Sequence, residues 1–560
     1  MSTDWSTGQF KNIAGALSWQ AEQQPHSIAI HYPQGGFMQP HKYTHKTYIE
    51  LNELSNVYAR GLLEYGVESG TRTALMLTPG LDFIAMFFAM FKAGIIPVLV
   101  DPGIGIKPLK CCLEEAAPKA FIGITKAQLA RKVLGWAKQS CRQFVTAGPT
   151  LGLGGINLKT LRTLGNRSSG EILHLPDAED MAAILFTSGS TGIPKGVVYR
   201  HRHFSAQVEM LKQAFNIKPG EVGLPTFPPF ALFDPALGMT TVVPRMDPTR
   251  PAKANPKVLV RTIDAFQVNN IFGSPALLNT LSRYLVDSNI ELKSVRRVIS
   301  AGAAVPIRVI RRMEKALPDD AEIHTPYGAT ECLPVCSISG KQMTPEIQAL
   351  STSGNGICVG MPVAPNRVKI IAISEQAFST LDQITEVAAG EPGEIIVSGP
   401  SCTDQYWKRE QQTTLAKITD ADGTIWHRMG DAGSLDNTGR LWYYGRVTQR
   451  LETTQEVLFA DRCEAVFNPH PELLRSALVG LGERGKQAPV LCVELKGKLN
   501  TAAKAQVSAD LLKIAQANSM TQSIQKVLFH KGFPVDIRHN SKINREQLAV
   551  WATGKIGGKV

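Results

Sequence analysis

Between Thr187 and Gly192 the chain reads TSGSTG, four hydroxyl side chains and two glycines, and a lysine follows at Lys195. Glycine lets backbone approach a ligand closely, hydroxyl and amide groups hydrogen-bond an oxyanion, and lysine adds a point charge. Thr187, Ser188, Gly189, Ser190, Thr191, Gly192 and Lys195 are therefore candidates to hold a phosphate. The order is not the common phosphate loop, which needs a Gly-Lys pair followed by Ser or Thr. Downstream, TPYGATE sets Thr330 beside Glu331, a hydroxyl and a carboxylate able to bind Mg²⁺ and a phosphate oxygen together. Asp431 stands in a Gly-flanked turn, suited to accept hydrogen bonds from a ribose diol, and Arg446 comes fifteen residues later. Near the C-terminus Lys542 lies among turn residues in FPVDIRHNSKINREQL.

These groups need elements that bring them together. From about residue 25 to 105, strand-like and helix-like patterns alternate: SIAIHY, then TYIELNELSNVYARGLLEYG with Leu51, Leu54, Val57 and Leu62 on one side, then TRTALML. The alternation resumes in AAILFTS, VNNIFGS, VRRVISAG and AEIHTPYG, each an apolar run that ends in small or polar residues. This predicts an α/β fold with helix-covered, mostly parallel sheets. Ligands of such sheets gather where strands end and loops begin, so each run delivers a loop to one common site. Residues 106–180 look irregular and suggest no chemistry. A turn-rich portion with short strands then predicts a small β-rich subdomain. After Arg446 the pattern changes to a small α+β unit, which places the domains at 1–446 and 447–560.

The chain has 560 residues, too long for one core. Its formal charge is +12, but the basic residues are dispersed, with neither a stripe nor a reader motif for nucleic acid. The nine cysteines show no zinc spacing and read as reduced thiols of a cytoplasmic protein. No signal peptide is indicated by MSTDWSTGQF. FIAMFFAMFKAGIIPVLV is as long as a membrane span, but Lys92, Gly94 and Pro97 interrupt it. A buried helix, a glycine turn and a core strand explain it better, so no integral membrane segment is expected. His201 and His203 read as a solvated strand end, and Cys332 as a small packing residue lining the site. FALFDPALGM either lines an acyl tunnel or fills core.

Taken together, the motifs resemble the adenylate-forming superfamily of acyl-CoA synthetases, luciferases and peptide-synthetase adenylation domains, from about residue 40 to the C-terminus. That resemblance implies ATP and Mg²⁺. The loop Thr187–Lys195 would hold the β- and γ-phosphates. SAGAA, with Gly302, Ala303 and Ala304, and YGATE, with Tyr327, Gly328 and Thr330, would flank the adenine and α-phosphate. Glu331 would ligate Mg²⁺ and Asp431 the ribose hydroxyls, with Arg446 nearby. Lys542, on a mobile C-terminal lid domain, would bridge the carboxylate substrate and the α-phosphate. The implied reaction is carboxylate attack on the α-phosphate, giving an acyl-adenylate and pyrophosphate.

What attacks the adenylate is a separate matter. Ala231 stands where coenzyme A ligases commonly carry a histidine. The hinge reads Gly445-Arg446-Val447-Thr448-Gln449, with Thr448 in place of an acidic residue. TPYGATECLPV, FPPFALFDPALG and DIRHNSKI resemble the β-lactone synthetases of bacterial long-chain olefin biosynthesis. The implied substrate is a long-chain 2-alkyl-3-hydroxyalkanoic acid whose own β-hydroxyl expels AMP to give a cis-β-lactone. Other enzymes of the olefin pathway are the implied partners. An acyl-CoA ligase, a carrier-protein-loading ligase and an inactive scaffold are the alternatives.

Overall fold

The computed structural model describes residues 12–34, 42–168, 176–187, 194–535 and 543–557. Two seven-stranded sheets form its frame. The first runs Glu322–His324, Arg297–Ile299, Asn270–Phe272, Val222–Pro225, Thr240–Val242, Ile28–Pro33 and Tyr43–Thr47. The second runs Ile156–Asn157, Gln143–Ala147, Ala120–Ile124, Arg72–Met76, Ile96–Leu99, Met181–Phe186 and Gly196–Arg200. In each sheet only the last-named strand is antiparallel to its neighbour.

Side-chain alternation along the strands sorts the core into layers. Leu75 faces the core shared by both sheets, whereas Ala74 and Met76 face a separate core outside the second sheet. Ile30 and Ile299 face the shared core, while Leu224, Val242, Ile271 and Val298 face a third core outside the first sheet. Helices thus lie between the sheets and on both outer faces. Helix Leu81–Lys92 occupies the middle layer and is buried all round from Phe83 onward, as its unbroken apolar sequence requires. Its lysine is reconciled with that burial by oxygens. Lys92 Nζ donates to Asn52 Oδ1 (2.6 Å), Ser55 Oγ (2.7 Å) and Asn56 Oδ1 (2.6 Å), and burial pushes its pKa down to about 7. Among the described residues no helix is long and apolar enough to cross a membrane.

Residues 106–180 are more regular than their sequence implies. They supply the strands Ala120–Ile124 and Gln143–Ala147, and the helices Ile106–Ala116, Thr125–Leu134 and Leu158–Arg167. The first two of these helices cover the outer core of the second sheet, where Leu109, Cys112 and Leu113 are buried. An eight-stranded antiparallel sheet then spans Tyr327 to Arg446. Beyond it a three-stranded sheet, Leu473–Leu481, Ala488–Leu495 and Val527–His530, has its own apolar cores on both faces.

Two readings need correction. Cys332 and Cys402 form a disulfide, so the cysteines are not all free thiols. His201 and His203 are not solvated: both are buried at the start of helix His201–Ala214. His203 Nδ1 accepts the Arg200 N–H at 2.9 Å, and burial pushes the His201 pKa down to about 4.

Candidate active site

The carboxyl ends of the parallel strands open onto one cavity of about 1470 Å³, well above the ~300–1,000 Å³ usual for a single small ligand. Met76, Leu99, Thr187, Thr226, Phe272 and Ile299, each at or just beyond the end of a strand, all reach its wall.

The candidate phosphate loop leaves this edge. Strand Met181–Phe186 runs into Thr187, and strand Gly196–Arg200 returns beside it. Thr187 N donates to Lys195 O (3.0 Å), and Lys195 N to Thr187 Oγ1 (3.4 Å), so these two residues close the base of the loop. Ser188, Gly189, Ser190, Thr191 and Gly192 lie outside the described residues. Lys195 Nζ sits 4.8 Å from the centre of the Tyr406 ring.

Thr330 and Glu331 are both on the cavity wall. Tyr199 Oη donates to the Thr330 carbonyl at 2.6 Å. The Glu331 carbonyl accepts from Thr403 N (2.8 Å) and Thr403 Oγ1 (3.0 Å), and its carboxylate Oε1 accepts from Tyr406 Oη (2.7 Å). Burial and the Glu331 charge push the Tyr406 phenol far up, so it remains a donor. The Cys332–Cys402 bond ties the segment after Glu331 to the one bearing Thr403 and Tyr406. Cys332 itself is fully buried and is not part of the cavity wall. Behind Glu331, Lys417 Nζ donates to the Thr403 carbonyl, and burial lowers its pKa to about 8.

The spacing of Asp431 and Arg446 follows from a hairpin: the two are opposite partners in adjacent strands. Asp431 Oδ2 accepts from Tyr327 Oη at 2.6 Å, and Arg446 Nη1 stands 3.1 Å from Oδ1. That Oδ1 is buried and accepts no hydrogen bond among the described residues. Burial raises the Asp431 pKa, partly offset by the Arg446 charge, while Asp431 raises that of Arg446. Tyr327, Gly328, Gly430 and Arg446 reach the wall, whereas Asp431 sits just behind them. Gly302 is on the wall with φ +95°, a conformation that disfavours a side chain; Ala303 and Ala304 are off it. Thr448 is on the wall, and among the described residues none after Arg450 is. Lys542 lies outside the described residues, although Val535 and Ile543 on either side of it pair as an antiparallel bridge.

FALFDPALGM is divided between the cavity wall and the core. Leu232, Phe233, Asp234 and Leu237 line the cavity, and Ala236 and Met239 fill core. Ala231 faces a separate small cavity. Sequence reasoning missed Asp234, Tyr406 and Lys417. Asp234 packs over Gly223 and accepts weakly from Thr241 Oγ1 (3.4 Å), and burial raises its pKa to about 8. Folding therefore holds a proton that the unfolded chain releases near pH 4, and the native state loses stability as pH rises from there to about 8. Asp234→Asn should unfold like the parent at pH 4 and be more stable above pH 8 by several kcal/mol, since each unit of the rise from about 4 to about 8 corresponds to about 1.4 kcal/mol. Denaturant unfolding at several pH values checks this; a pH-independent difference would refute it.

Residues 17–407 match the family described as AMP-binding enzyme. The chain belongs to that family. Two relatives of this AMP-binding enzyme are both named olefin beta-lactone synthetase. The one from Xanthomonas campestris pv. campestris is 49% identical over 548 residues, covering 97% of each chain. The one from Stenotrophomonas maltophilia is 49% identical over 554 residues, covering 97% of this chain and 98% of its own. The fold of this family member is also that of the amide bond synthetase McbA from Marinactinospora thermotolerans. Their TM-score is 0.77 at 19% identity, over 97% of this chain and all of the other.

Proposed function

We propose that the protein uses ATP to adenylate a long-chain 2-alkyl-3-hydroxyalkanoic acid and then closes it to a cis-β-lactone, with AMP and pyrophosphate as co-products. The observation that carries this reading is near full-length similarity, at 49% identity, to two olefin beta-lactone synthetases. The large, mainly apolar cavity at the strand ends fits a greasy acid beside a nucleotide.

The first step forms a bond between a carboxylate oxygen and the α-phosphorus and breaks the bond to pyrophosphate. In the second, the β-hydroxyl oxygen bonds to the acyl carbon, AMP leaves, and its phosphate takes the hydroxyl proton. A tethered nucleophile gains from proximity, and no external acceptor is required. We assign the loop from Thr187 to Lys195 to the β- and γ-phosphates. Gly302, Tyr327 and Gly328, all on the cavity wall, flank the adenine and α-phosphate. The unsatisfied Asp431 Oδ1 suits a ribose hydroxyl, with Arg446 fixing the carboxylate. Glu331 offers an anionic oxygen at the wall, fitting Mg²⁺, which would screen phosphate charge when bound. Residues 447–560 act as a lid that delivers Lys542. A partner enzyme decarboxylates the lactone to an alkene.

The decisive assay supplies ATP, Mg²⁺ and the hydroxy acid without coenzyme A. Lactone and AMP should accumulate together. A strict requirement for coenzyme A, with a thioester as product, would refute the lactone reading. Within this scheme Tyr406→Phe should slow adenylation by about 10- to 100-fold, since a hydrogen bond to a charged group contributes ~1.5–3 kcal/mol. Stopped-flow pyrophosphate release measures it, and an unchanged rate would show that Tyr406 does not orient Glu331.

A further inference from the structure

The cavity straddles the carboxyl edge of the second sheet. Alternate residues along a strand point to opposite faces, and the wall includes both sets. Leu75, Leu99 and Leu185 belong to the core between the two sheets, and Met76, Val100 and Phe186 to the core on the outer face. On the inner side the wall continues along Phe87, Leu211 and Leu237. On the outer side it continues under two helices along Leu109, Ala130 and Trp136. A single cavity therefore has two apolar arms, divided by the ends of Arg72–Met76, Ile96–Leu99 and Met181–Phe186.

We infer that the substrate's two alkyl chains part at this edge, one entering the arm between the sheets and the other the arm beneath the outer helices. The inference rests on the proposed function, which supplies a substrate branched at adjacent carbons. A straight-chain acid fills one arm and leaves apolar wall wet in the other. Selection for two long chains then arises from burial alone, at about fourfold in kcat/KM for each methylene removed from water. No polar recognition of the chains is needed, and specificity rests on the residues at the arms' walls.

The test measures pyrophosphate release and lactone formation with three acids: both chains long, only the 2-alkyl chain shortened, and only the 3-alkyl chain shortened. With the parent enzyme, shortening either chain should lower kcat/KM. Ala130→Leu narrows the outer arm and Leu211→Trp the inner one, with Ala127→Leu as a second outer-arm variant should Ala130→Leu not fold. Each variant should lose about tenfold or more on the doubly long acid, as two or more methylenes kept from burial at about fourfold each would give. It should be nearly indifferent to one of the shortened acids, and the outer and inner variants should spare different ones. Sensitivity to the same chain in both arms, or an effect of the outer-arm variants confined to the KM for ATP, would overturn the inference. If the parent enzyme releases no pyrophosphate with any 3-hydroxy acid, the proposed function itself fails. If it does so but the variants show no chain preference, only the two-arm assignment fails.

Discussion

Glu331→Gln should slow pyrophosphate release by about 10²–10³-fold, the loss that follows removal of one preorganised electrostatic group. The substitution keeps the side chain's shape and leaves an oxygen to accept from Tyr406 Oη, which now stands 2.7 Å from Oε1. The backbone at this position is also held, by the two Thr403 contacts to the Glu331 carbonyl and by the nearby disulfide. A loss of rate therefore reports the missing negative charge rather than a collapsed loop. In the proposed scheme the charge matters because a divalent cation must be attracted away from water into a wall that is mainly apolar. Titrating Mg²⁺ against the rate should show a weaker apparent affinity in the variant. Full activity at the parent's Mg²⁺ requirement would remove Glu331 from the metal site.

The parts of the fold that were legible in the sequence are those where local and global signals agree. AAILFTS and VRRVISAG are apolar runs closed by small residues, and both became strands whose ends line the cavity. Asp431 and Arg446 were legible as a pair because a hairpin converts sequence spacing into opposition. Residues 106–180 failed as a reading because their helices show only a narrow apolar stripe. In Ile106–Ala116 the buried residues are Leu109, Cys112, Leu113 and Ala116, set among lysines and glutamates. The Cys332–Cys402 bond joins positions 70 apart, a distance at which no spacing rule applies. His201 and His203 read as exposed because polarity is the local signal, whereas Phe91 and Tyr199 enclose them by tertiary packing. Tyr406 could not be found because a lone tyrosine carries no pattern; only its contact with Glu331 gives it a role.

Lys542→Ala should cost more than any other single change, roughly 10³-fold or more in adenylation, by comparison with other charge clamps on a transferred phosphoryl group. The acid's carboxylate and the α-phosphate are both anions, and they must meet within bond-forming distance. The arginines on the cavity wall are already committed: Arg446 to Asp431 at 3.1 Å, Arg409 to Glu115 at 2.6 Å, Arg428 to Glu394 at 2.6 Å and Arg450 to Glu452 at 2.8 Å. Of the wall lysines, Lys195 is proposed for the β- and γ-phosphates, and the proposed scheme gives the reacting oxygens a separate cation, Lys542 of the C-terminal segment. Yet among the described residues the wall ends at Arg450, and the chain passes there from the short helix Val447–Gln449 into the strand Leu451–Glu452. In the proposed scheme, rotation of residues 447–560 about this connection delivers Lys542 for adenylation and withdraws it afterwards. The two half-reactions should therefore separate in the variant. Pyrophosphate release from ATP and acid should nearly stop, while acyl-adenylate supplied from outside should still lactonise at close to the parent rate. Equal loss in both steps would instead place Lys542 at the ring closure, and no loss in either would remove it from the chemistry.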